Sequence, residues 1–298
     1  MNNYSKTRVA IAGATGYAGR ELARLLARHP GARVEAALDS TTGVEAALAA
    51  DPDFVFLATP AEVSTAWTAA LRAAARPPRI VDLSGAFRFD PGIVYGWPER
   101  NRAAIRDAAL VSNPGCYATA ANLALGPLVT AGVIETSDII CDAKSGASGA
   151  GRGLRQDLHF CELEANCRAY HVYAHRHAPE IARHCGLDAA TFAFTPHLLP
   201  TSRGILATLY VRLRGDDLAG AYARAYIGHP FVRLRGGELP ELNDVNHTNF
   251  CDIGWKVRAD GRQAVIVSCL DNLLKGAAGQ AVQNFNLMSG WPEETGLA

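Results

Sequence analysis

Cys116 is the residue best suited to covalent chemistry, because it directly follows the turn-forming pair Pro114-Gly115 and begins an apolar stretch of helical character. A helix N-terminus stabilises an anion, so this position favours the thiolate, the nucleophilic form of cysteine. The N–H groups of a first helical turn can also hold a developing oxyanion. The sequence therefore predicts that Cys116 is a nucleophile, whereas the other six cysteines are expected to be buried core residues.

A nucleophilic thiol needs a base, and histidines crowd one short segment of the chain. His171, His175 and His177 lie within seven residues, and His197 lies farther along in Thr195-Pro-His197. A histidine cluster can also bind a metal ion, but no acidic or thiol ligand has a matching spacing and no CxxC pair occurs, so we expect no metal. The segment as a whole indicates acid/base chemistry, and the residues alone do not decide which histidine performs it.

A glycine-rich segment, Lys144–Arg152, combines backbone N–H donors with two cations. Such a segment suits a phosphate or a carboxylate, and the alternative is a flexible surface loop. Arg88 and Arg203 are further candidates for binding an anion.

A phosphate-binding turn is predicted near the N-terminus. The apolar run Val9–Ala12 precedes Gly13-x-x-Gly16-x-x-Gly19, and residues 21–28 have helical periodicity. Glycines allow the backbone to approach a pyrophosphate closely, and the helix N-terminus offers N–H groups to it. This context favours dinucleotide binding over a tight strand-to-helix turn without a ligand. The predicted contacts are Gly13, Thr15, Gly16, Tyr17, Ala18 and Gly19.

Asp39 follows the second predicted strand, where an acidic residue can bind the ribose 2′-OH of NAD. Ser40, Thr41 and Thr42 could instead donate hydrogen bonds to the 2′-phosphate of NADP. The residues of this turn therefore leave the choice between the two cofactors open.

The elements that must position these residues change in character near Asn113. Before it, short strands over 9–12, 33–38, 54–57 and 79–83 alternate with helices such as 61–75, which indicates a parallel doubly wound sheet. After it, longer strands over 138–143, 191–194, 204–213 and 263–269 indicate an antiparallel-rich α+β domain. The predicted domains are 1–115 for the dinucleotide, completed by a C-terminal helical region 271–298, and 116–270 for catalysis and oligomerisation.

Composition excludes several classes of function. Lys+Arg and Asp+Glu are both 29 in a chain of 298 residues, so no basic surplus favours a nucleic-acid partner. The seven cysteines are odd in number and scattered, which fits reduced thiols in a cytosolic protein. The uncharged run 108–134 is long enough to span a membrane, but its prolines and glycines predict buried core instead.

With these residues in view, the sequence resembles the N-acetyl-γ-glutamyl-phosphate reductases of the aspartate-semialdehyde dehydrogenase superfamily. The resemblance runs over nearly the whole chain and rests on several blocks in the same order: Gly13–Gly19, Asp82–Arg88, Tyr95–Glu99, Asn113–Tyr117, Asp142–Gly146, His175–Ile181, Phe194–His197, Arg203-Gly204 and Asp271–Asn284.

The resemblance implies a Rossmann domain and an α+β catalytic domain of the glyceraldehyde-3-phosphate dehydrogenase-like type, with NADP(H) as cofactor. It makes Cys116 the nucleophile and a histidine of the 175–177 block the acid/base, with His177 favoured and His197 second. Expected cofactor contacts include Ser40, Thr41, Ser145, Gly146 and Gly276. Expected substrate contacts are Arg88, Asn113, Lys144 and Arg203.

Three departures from the family pattern bear on the cofactor. Asp39-Ser-Thr stands where the family often has Ser-Arg, so NAD(H) stays open as a cofactor. Ala61-Glu62 replaces the usual His-Gly after Pro60, and the stretch 40–53 is short.

The implied reaction is reduction of N-acetyl-γ-glutamyl phosphate, a small acyl phosphate, through a thioester on Cys116, by a homodimer or homotetramer. Two alternatives stay open: reduction of an aminoadipyl phosphate on a carrier protein, and a dinucleotide-sensing protein without turnover.

Overall fold

The computed structural model describes residues 6–297, which divide into two compact units. Residues up to 115 together with those from 277 onward form the first unit, and residues 116–276 form the second.

The first unit contains a sheet of six strands that all run parallel, in the order β2-β1-β3-β4-β6-β5. The strands are β1 (Thr7–Ala12), β2 (Ala32–Leu38), β3 (Phe54–Leu57), β4 (Arg79–Asp82), β5 (Val94–Tyr95) and β6 (Leu110–Ser112). Ala12 is in register with Leu38 on one side and with Leu57 on the other, so these strands end at the same edge. Ligands of such sheets bind at this carboxyl edge. The predicted parallel sheet is confirmed.

Four helices of the first unit precede the second unit in the chain: α1 (Tyr17–Arg28), α2 (Val44–Ala49), α3 (Ala61–Arg72) and α4 (Pro98–Asp107). Helix α1 follows β1 after only four residues and buries Leu22, Leu25 and Leu26. This spacing of apolar residues places them on one face of a helix.

The second unit contains a mixed sheet of seven strands in the order β11-β12-β13-β10-β7-β9-β8. Its strands are β7 (Ile140–Gly146), β8 (Arg168–Ala169), β9 (Ala193–Leu199), β10 (Ile205–Arg212), β11 (Val232–Gly236), β12 (Cys251–Val257) and β13 (Gln263–Leu270). Four neighbouring pairs are antiparallel and two are parallel, which confirms the antiparallel-rich second sheet.

The helices of the second unit are α5 (Cys116–Thr130), α6 (Phe160–Leu163), α7 (His177–Cys185), α8 (Leu218–Tyr226) and α9 (Leu242–Val245). Helix α5 is buried over most of its surface and is rich in alanine, which allows neighbouring elements to approach closely. The uncharged run 108–134 therefore contains β6 and this core helix. No helix between residues 6 and 297 is long and apolar enough to cross a membrane.

The chain then returns to the first unit through α10 (Gly279–Ser289). Phe285 of this helix packs edge-on against Phe54 and His29, with ring centroids 5.0 and 5.5 Å away. The predicted helical region 271–298 is wrong at its start, because residues 271–273 are not helical and Leu274–Ala278 forms a π-helical turn before α10. The Gly276 N–H donates to the Asp271 carbonyl five residues earlier, which is the π-helical pattern.

All seven cysteines are free thiols, but the expectation that six of them are buried is wrong for two. Cys161 and Cys167 are exposed because they lie in and beside the short surface helix α6. Cys141, Cys185, Cys251 and Cys269 are buried as expected.

Candidate active site

Cys116 is the first residue of α5 and is half-buried. The N–H groups of a first helical turn have no carbonyl partner within the helix, and they make the N-terminus partly positive. An alanine-rich helix packed in the core holds this end in place. The site can therefore stabilise a negative charge on the sulfur or on an oxygen bonded to an attacked carbon.

Gly276 lies directly against Cys116. A Cβ added to Gly276 would come within 2.8 Å of the Cys116 Cβ and 3.2 Å of a Leu270 methyl group. Carbon atoms cannot approach that closely without displacement, so only glycine fits at this point of the π-helical turn. Gly276, which is predicted to contact the cofactor, therefore also leaves room for the Cys116 side chain.

The hydroxyl of Tyr117, the residue after Cys116, is hydrogen-bonded to residues from three separate stretches of the chain. It donates to the His197 carbonyl at 3.1 Å, accepts from the Tyr170 hydroxyl at 3.2 Å and bonds the Ser145 side chain. Burial raises the pKa of both Tyr117 and Tyr170, so both stay neutral phenols. This network fixes the first turn of α5.

Two of the predicted histidines lie beside Tyr117. The ring centroids of His175 and His177 are 5.5 and 6.0 Å from that of Tyr117, and the two imidazoles are 4.7 Å apart. His177 begins α7 and is only 4% exposed. The arrangement brings the 175–177 block to the residue that follows the thiol.

His175 is held as a neutral imidazole. Burial, assisted by the nearby charges of Arg176 and His171, lowers the pKa of His175 to about 4. Its Nδ1 accepts a hydrogen bond from the His177 backbone N–H at 3.1 Å, which requires this nitrogen to be unprotonated. His175 therefore orders the start of α7.

His197 and Lys144 lie on the opposite face of the sheet from Tyr117. Phe194 of β9 packs on Tyr117, and His197 is three residues farther along the same strand, so its side chain points the other way. Asp142 Oδ1 lies 3.2 Å from the His197 ring and 2.6 Å from Lys144 Nζ. The carbonyl of His197, but not its ring, thus belongs to the Tyr117 network.

Arg203 is anchored at the end of the same sheet. Its guanidinium lies 3.2 Å from the fully buried Asp271 carboxylate. Asp271 also accepts from the backbone N–H groups of His247 and Leu273, both at 2.8 Å. A Cβ on Gly146 would come within 2.6 Å of the backbone nitrogen of Arg203, so the backbones of these two segments are in close contact.

Most of the segment 144–152 has regular secondary structure. Lys144, Ser145 and Gly146 are the last residues of β7, and Ala147–Ala150 forms a 3-10 turn. The Ser148 hydroxyl accepts from the side-chain amide of Asn272, which in turn accepts from the Gly204 N–H. The backbone N–H groups of Gly146, Ala147 and Ser148 donate to the carbonyls of Gly204, Thr201 and Ser202, so these three predicted donors already have partners within the protein.

In the first unit, the glycine turn has the close packing that dinucleotide binding needs. Gly13 has a φ of +79°, and a Cβ there would lie 2.3 Å from the Ala58 carbonyl oxygen. A Cβ on Gly19 would lie 2.1 Å from the Gly13 carbonyl oxygen. Thr15 and Tyr17 are exposed beside the N-terminus of α1, which Gly16 leaves without a side-chain cap. Gly13 and Gly19 thus allow the turn to pack closely on its neighbours, and Gly16 leaves no side chain over the helix N-terminus, where a pyrophosphate can bind.

The turn after β2 has a single acceptor at its centre. Asp39 Oδ1 accepts from the Thr41 N–H at 2.9 Å, the Thr41 hydroxyl at 2.7 Å and the Thr42 hydroxyl at 3.1 Å. These hydrogen bonds, the Thr41 hydroxyl first, lower the pKa of Asp39. The two threonines that could serve a 2′-phosphate thus face an ionised carboxylate, and Ser40 lies between them and Asp39.

Arg88 and Asn113 are buried in the first unit. Arg88 donates to the Asn113 carbonyl at 3.1 Å and to the Leu83 carbonyl at 3.0 Å. The Asn113 side chain donates to the Ala277 carbonyl and accepts from Asn284. Both residues fix the chain just before Cys116, and their predicted contact with substrate stays a prediction.

Sequence reasoning missed the hydroxyls of Tyr117 and Tyr170 and the anchors Asp271 and Asn272. Tyr117 was detectable from its position next to a candidate nucleophile. Asp271 and Asn272 directly follow β13, and polar residues at a strand end commonly bind neighbouring loops. Tyr170 carries no such signal, because its role depends on pairing between β8 and β9.

Two family models match the chain. Residues 36–108 match the semialdehyde dehydrogenase NAD binding domain, and residues 116–272 match the semialdehyde dehydrogenase dimerisation domain. Aspartate semialdehyde dehydrogenase II of Vibrio cholerae, complexed with ASA, shares the fold with a TM-score of 0.75, 18% identity and coverage of 96% of this chain and 99% of that one. The fold and the two matched domains define an oxidoreductase of the semialdehyde dehydrogenase class.

Curated relatives define the family within that class. N-acetyl-gamma-glutamyl-phosphate reductase of Pelotomaculum thermopropionicum is 42% identical over 98% of this chain and 97% of its own length. The protein of that name from Symbiobacterium thermophilum is 44% identical over 97% of both chains. The chain belongs to the N-acetyl-γ-glutamyl-phosphate reductase family.

Proposed function

We propose that this enzyme reduces N-acetyl-γ-glutamyl phosphate to N-acetylglutamate semialdehyde and phosphate, a step of arginine biosynthesis, in the cytosol. The observation that carries the proposal is the half-buried thiol at the start of α5 with the 175–177 histidines beside the next residue. The names of the relatives support this substrate and do not favour a carrier-bound aminoadipyl phosphate.

The proposed reaction begins when the Cys116 thiolate attacks the acyl carbon. The carbon–oxygen bond to phosphate breaks, phosphate leaves, and a thioester remains on the sulfur. When bound, the reduced nicotinamide supplies the hydride that converts this thioester into a thiohemiacetal. The hydroxyl of this thiohemiacetal then loses its proton and the carbon–sulfur bond breaks, which releases the aldehyde and restores the Cys116 thiolate.

We assign the proton transfers to His177. It lies on the α5 side of the sheet, whereas the ring of His197 lies on the other side and pairs with Asp142. His175 is a poor acid because its pKa of about 4 leaves it unprotonated near neutrality. A positioned acid/base contributes about two to four orders of magnitude to the rate.

Arg203 is our preferred group for an anionic part of the substrate, because the buried Asp271 carboxylate fixes its direction. Lys144 is paired with Asp142 on the other face of the sheet, which makes it a weaker candidate. Arg88 and Asn113 are bonded to each other and to the backbone, so we propose that they support the chain near the thiol.

The glycine turn is proposed to hold the pyrophosphate of the dinucleotide, since Gly13 and Gly19 allow its close backbone packing and Gly16 puts no side chain at the start of α1. Ser145, Gly146 and Gly276 stay proposed contacts of the cofactor. The family resemblance implies NADPH, and NADH supplies the same hydride.

The enzyme is also proposed to be a homodimer or homotetramer, because residues 116–272 match a dimerisation domain. Ile140 and Tyr210 are 46% and 44% exposed and are cross-strand partners on one face of the second sheet. We propose that this face joins two copies, and mass measurement in solution tests it.

The function is tested in the reverse direction with N-acetylglutamate semialdehyde. Purified enzyme should reduce NADP⁺ or NAD⁺ only when inorganic phosphate or arsenate is present. The control replaces the substrate by aspartate semialdehyde, which should react at least about a hundredfold more slowly because its α-amino group is charged and unacetylated. Reduction that does not depend on phosphate would contradict the proposal.

A further inference from the structure

The turn after β2 is tied to the glycine turn by hydrogen bonds. The N–H groups of Gly13 and Ala14 both donate to the Leu38 carbonyl, at 2.9 and 2.8 Å. Asp39 is the next residue, so its carboxylate stands at the edge where a dinucleotide bound on this turn places its adenosine ribose. An acid at this point accepts hydrogen bonds from the ribose 2′-OH and 3′-OH.

The Asp39 carboxylate is held ready for that contact. Its three hydrogen bonds from Thr41 and Thr42 all end on Oδ1. Oδ2 accepts none from any residue in the part of the chain that the structure describes, which leaves it to a ligand. The same bonds direct the two threonine hydroxyls toward Asp39, so neither is a donor waiting for a phosphate.

Charge in this region opposes a 2′-phosphate. Residues 40–46, which follow Asp39 and include the first turn of α2, contain no lysine or arginine, but they contain Glu45. Arg8 and Arg76 pair with Asp51 and Asp53 at the other edge of the sheet, where β1 and β3 begin, so neither cation lies beside Asp39. Asp39 forms no ion pair with residues 6–297. A phosphate monoester carries a charge of about −1.5 to −2 at neutral pH, and next to this carboxylate it would be repelled.

We propose that Asp39 makes the enzyme select NADH over NADPH, by binding the adenosine ribose hydroxyls and repelling a 2′-phosphate. This inference rests on the proposed function, since it concerns the cofactor of that reaction. It differs from the NADPH that the family resemblance implies, and the difference lies in this turn.

Binding without turnover tests the inference. The fluorescence of NADH and of NADPH is titrated with the full-length enzyme in the absence of substrate, at fixed salt. Wild type should bind NADH at least about tenfold more tightly than NADPH, as expected for one charge-assisted hydrogen bond. In Asp39→Asn and Asp39→Ser this ratio should fall to about one or below, through weaker NADH binding and stronger NADPH binding.

Glu35→Gln is the matched control. It removes the same charge four residues earlier, within the strand β2 that Asp39 follows, where Glu35 pairs with the exposed Arg33. Its NADH to NADPH ratio should equal that of wild type. Thermal unfolding of each variant shows that it is folded before its ratio is compared.

Tighter binding of NADPH by wild type would overturn the inference, and so would an unchanged ratio in both Asp39 variants. Absence of binding of either dinucleotide would overturn it as well. If NADH binds preferentially and Asp39 controls the ratio, but no semialdehyde is oxidised, the inference holds and the proposed reaction fails.

Discussion

The glycine turn of the first unit and the thiol site of the second are built by different means. The turn consists of seven consecutive residues whose backbones approach one another so closely that a single added methyl group collides. The thiol site combines side chains from α5, α7 and β7 with that of Tyr170, and Tyr117 and His197, which are hydrogen-bonded in it, are eighty residues apart. One region depends on close packing of the backbone, and the other depends on functional groups.

This difference predicts how each region fails. A change of volume in the glycine turn should affect binding and stability together, because the backbone itself is the binding surface. A change of functional group in the thiol site should affect turnover with little effect on folding. The following substitutions test whether the two regions fail in these different ways.

Replacing the nucleophile should have the largest effect. Cys116→Ser keeps the size of the side chain but removes the thiolate, so turnover should fall at least about a thousandfold. The dissociation constant for the dinucleotide, measured by fluorescence titration, should stay within about twofold of wild type. Cys161→Ser, which changes an exposed cysteine of α6, is the control and should retain full activity. Substantial turnover by Cys116→Ser would refute the covalent route.

Replacing His177 should have the next largest effect. His177→Asn removes the proposed acid/base and should lower kcat by about a hundredfold or more. His197→Asn should lower it by less than about tenfold, because that ring pairs with Asp142 on the opposite sheet face. Steady-state rates across a pH series compare the two. The reverse order of effects would assign the proton transfer to His197.

Adding a methyl group to the glycine turn tests the other side of the contrast. In Gly19→Ala the new Cβ would lie 2.1 Å from the Gly13 carbonyl oxygen, so β1 and α1 must separate. We expect the free energy of unfolding to fall by about 1 to 3 kcal/mol and dinucleotide binding to weaken by about tenfold. Gly215→Ala, where a Cβ meets no atom within 4 Å, is the control. Urea unfolding measures the change in stability, and fluorescence titration measures the change in dinucleotide affinity. Unchanged binding in Gly19→Ala would contradict the assignment of the turn to the dinucleotide.

The parts that sequence predicted are those set by local rules. Phe54–Leu57 is predictable as a buried strand because it is a continuous apolar run. Gly13 marks the turn after β1, because only glycine adopts its φ easily. The thiol's place at a helix start followed from Pro114-Gly115 in the same way.

The parts that sequence missed are set by long-range pairing. The strand β12 lies between two other strands, but residues 251–257 include a glycine, a lysine and an aspartate and lack clear alternation. Which face of β9 carries His197 depends on register with β7, which one residue of slip would reverse. The π-helical turn depends on Gly276 fitting against Cys116, 160 residues away in the chain.

His175 should make stability depend on pH. Its pKa of about 4 in the folded protein is below the ordinary value of 6.5, so the unfolded chain binds the proton more readily. This contribution to stability is complete above pH 6.5, decreases as the pH falls toward 4 and is constant below that. The loss should reach about 2 to 3 kcal/mol. Urea unfolding at pH 7.5 and pH 4.5 measures it. In His175→Asn the difference between the two pH values should shrink by that amount, and an unchanged difference would contradict the assignment.

Gly276→Ala should have the smallest effect and sharpens the contrast most, because it is a change of volume placed within the thiol site. The new Cβ would lie 2.8 Å from the Cys116 Cβ, so the π-helical turn and the first residue of α5 must shift apart. Turnover should fall about tenfold, since a small displacement of a reacting atom weakens catalysis strongly. The rate of alkylation of Cys116 by iodoacetamide, followed by mass spectrometry, should change in the same variant. Gly215→Ala should alter neither quantity. If Gly276→Ala instead lost stability without any change in turnover per folded molecule, the glycine would serve the packing of the π-helical turn and not the position of the thiol.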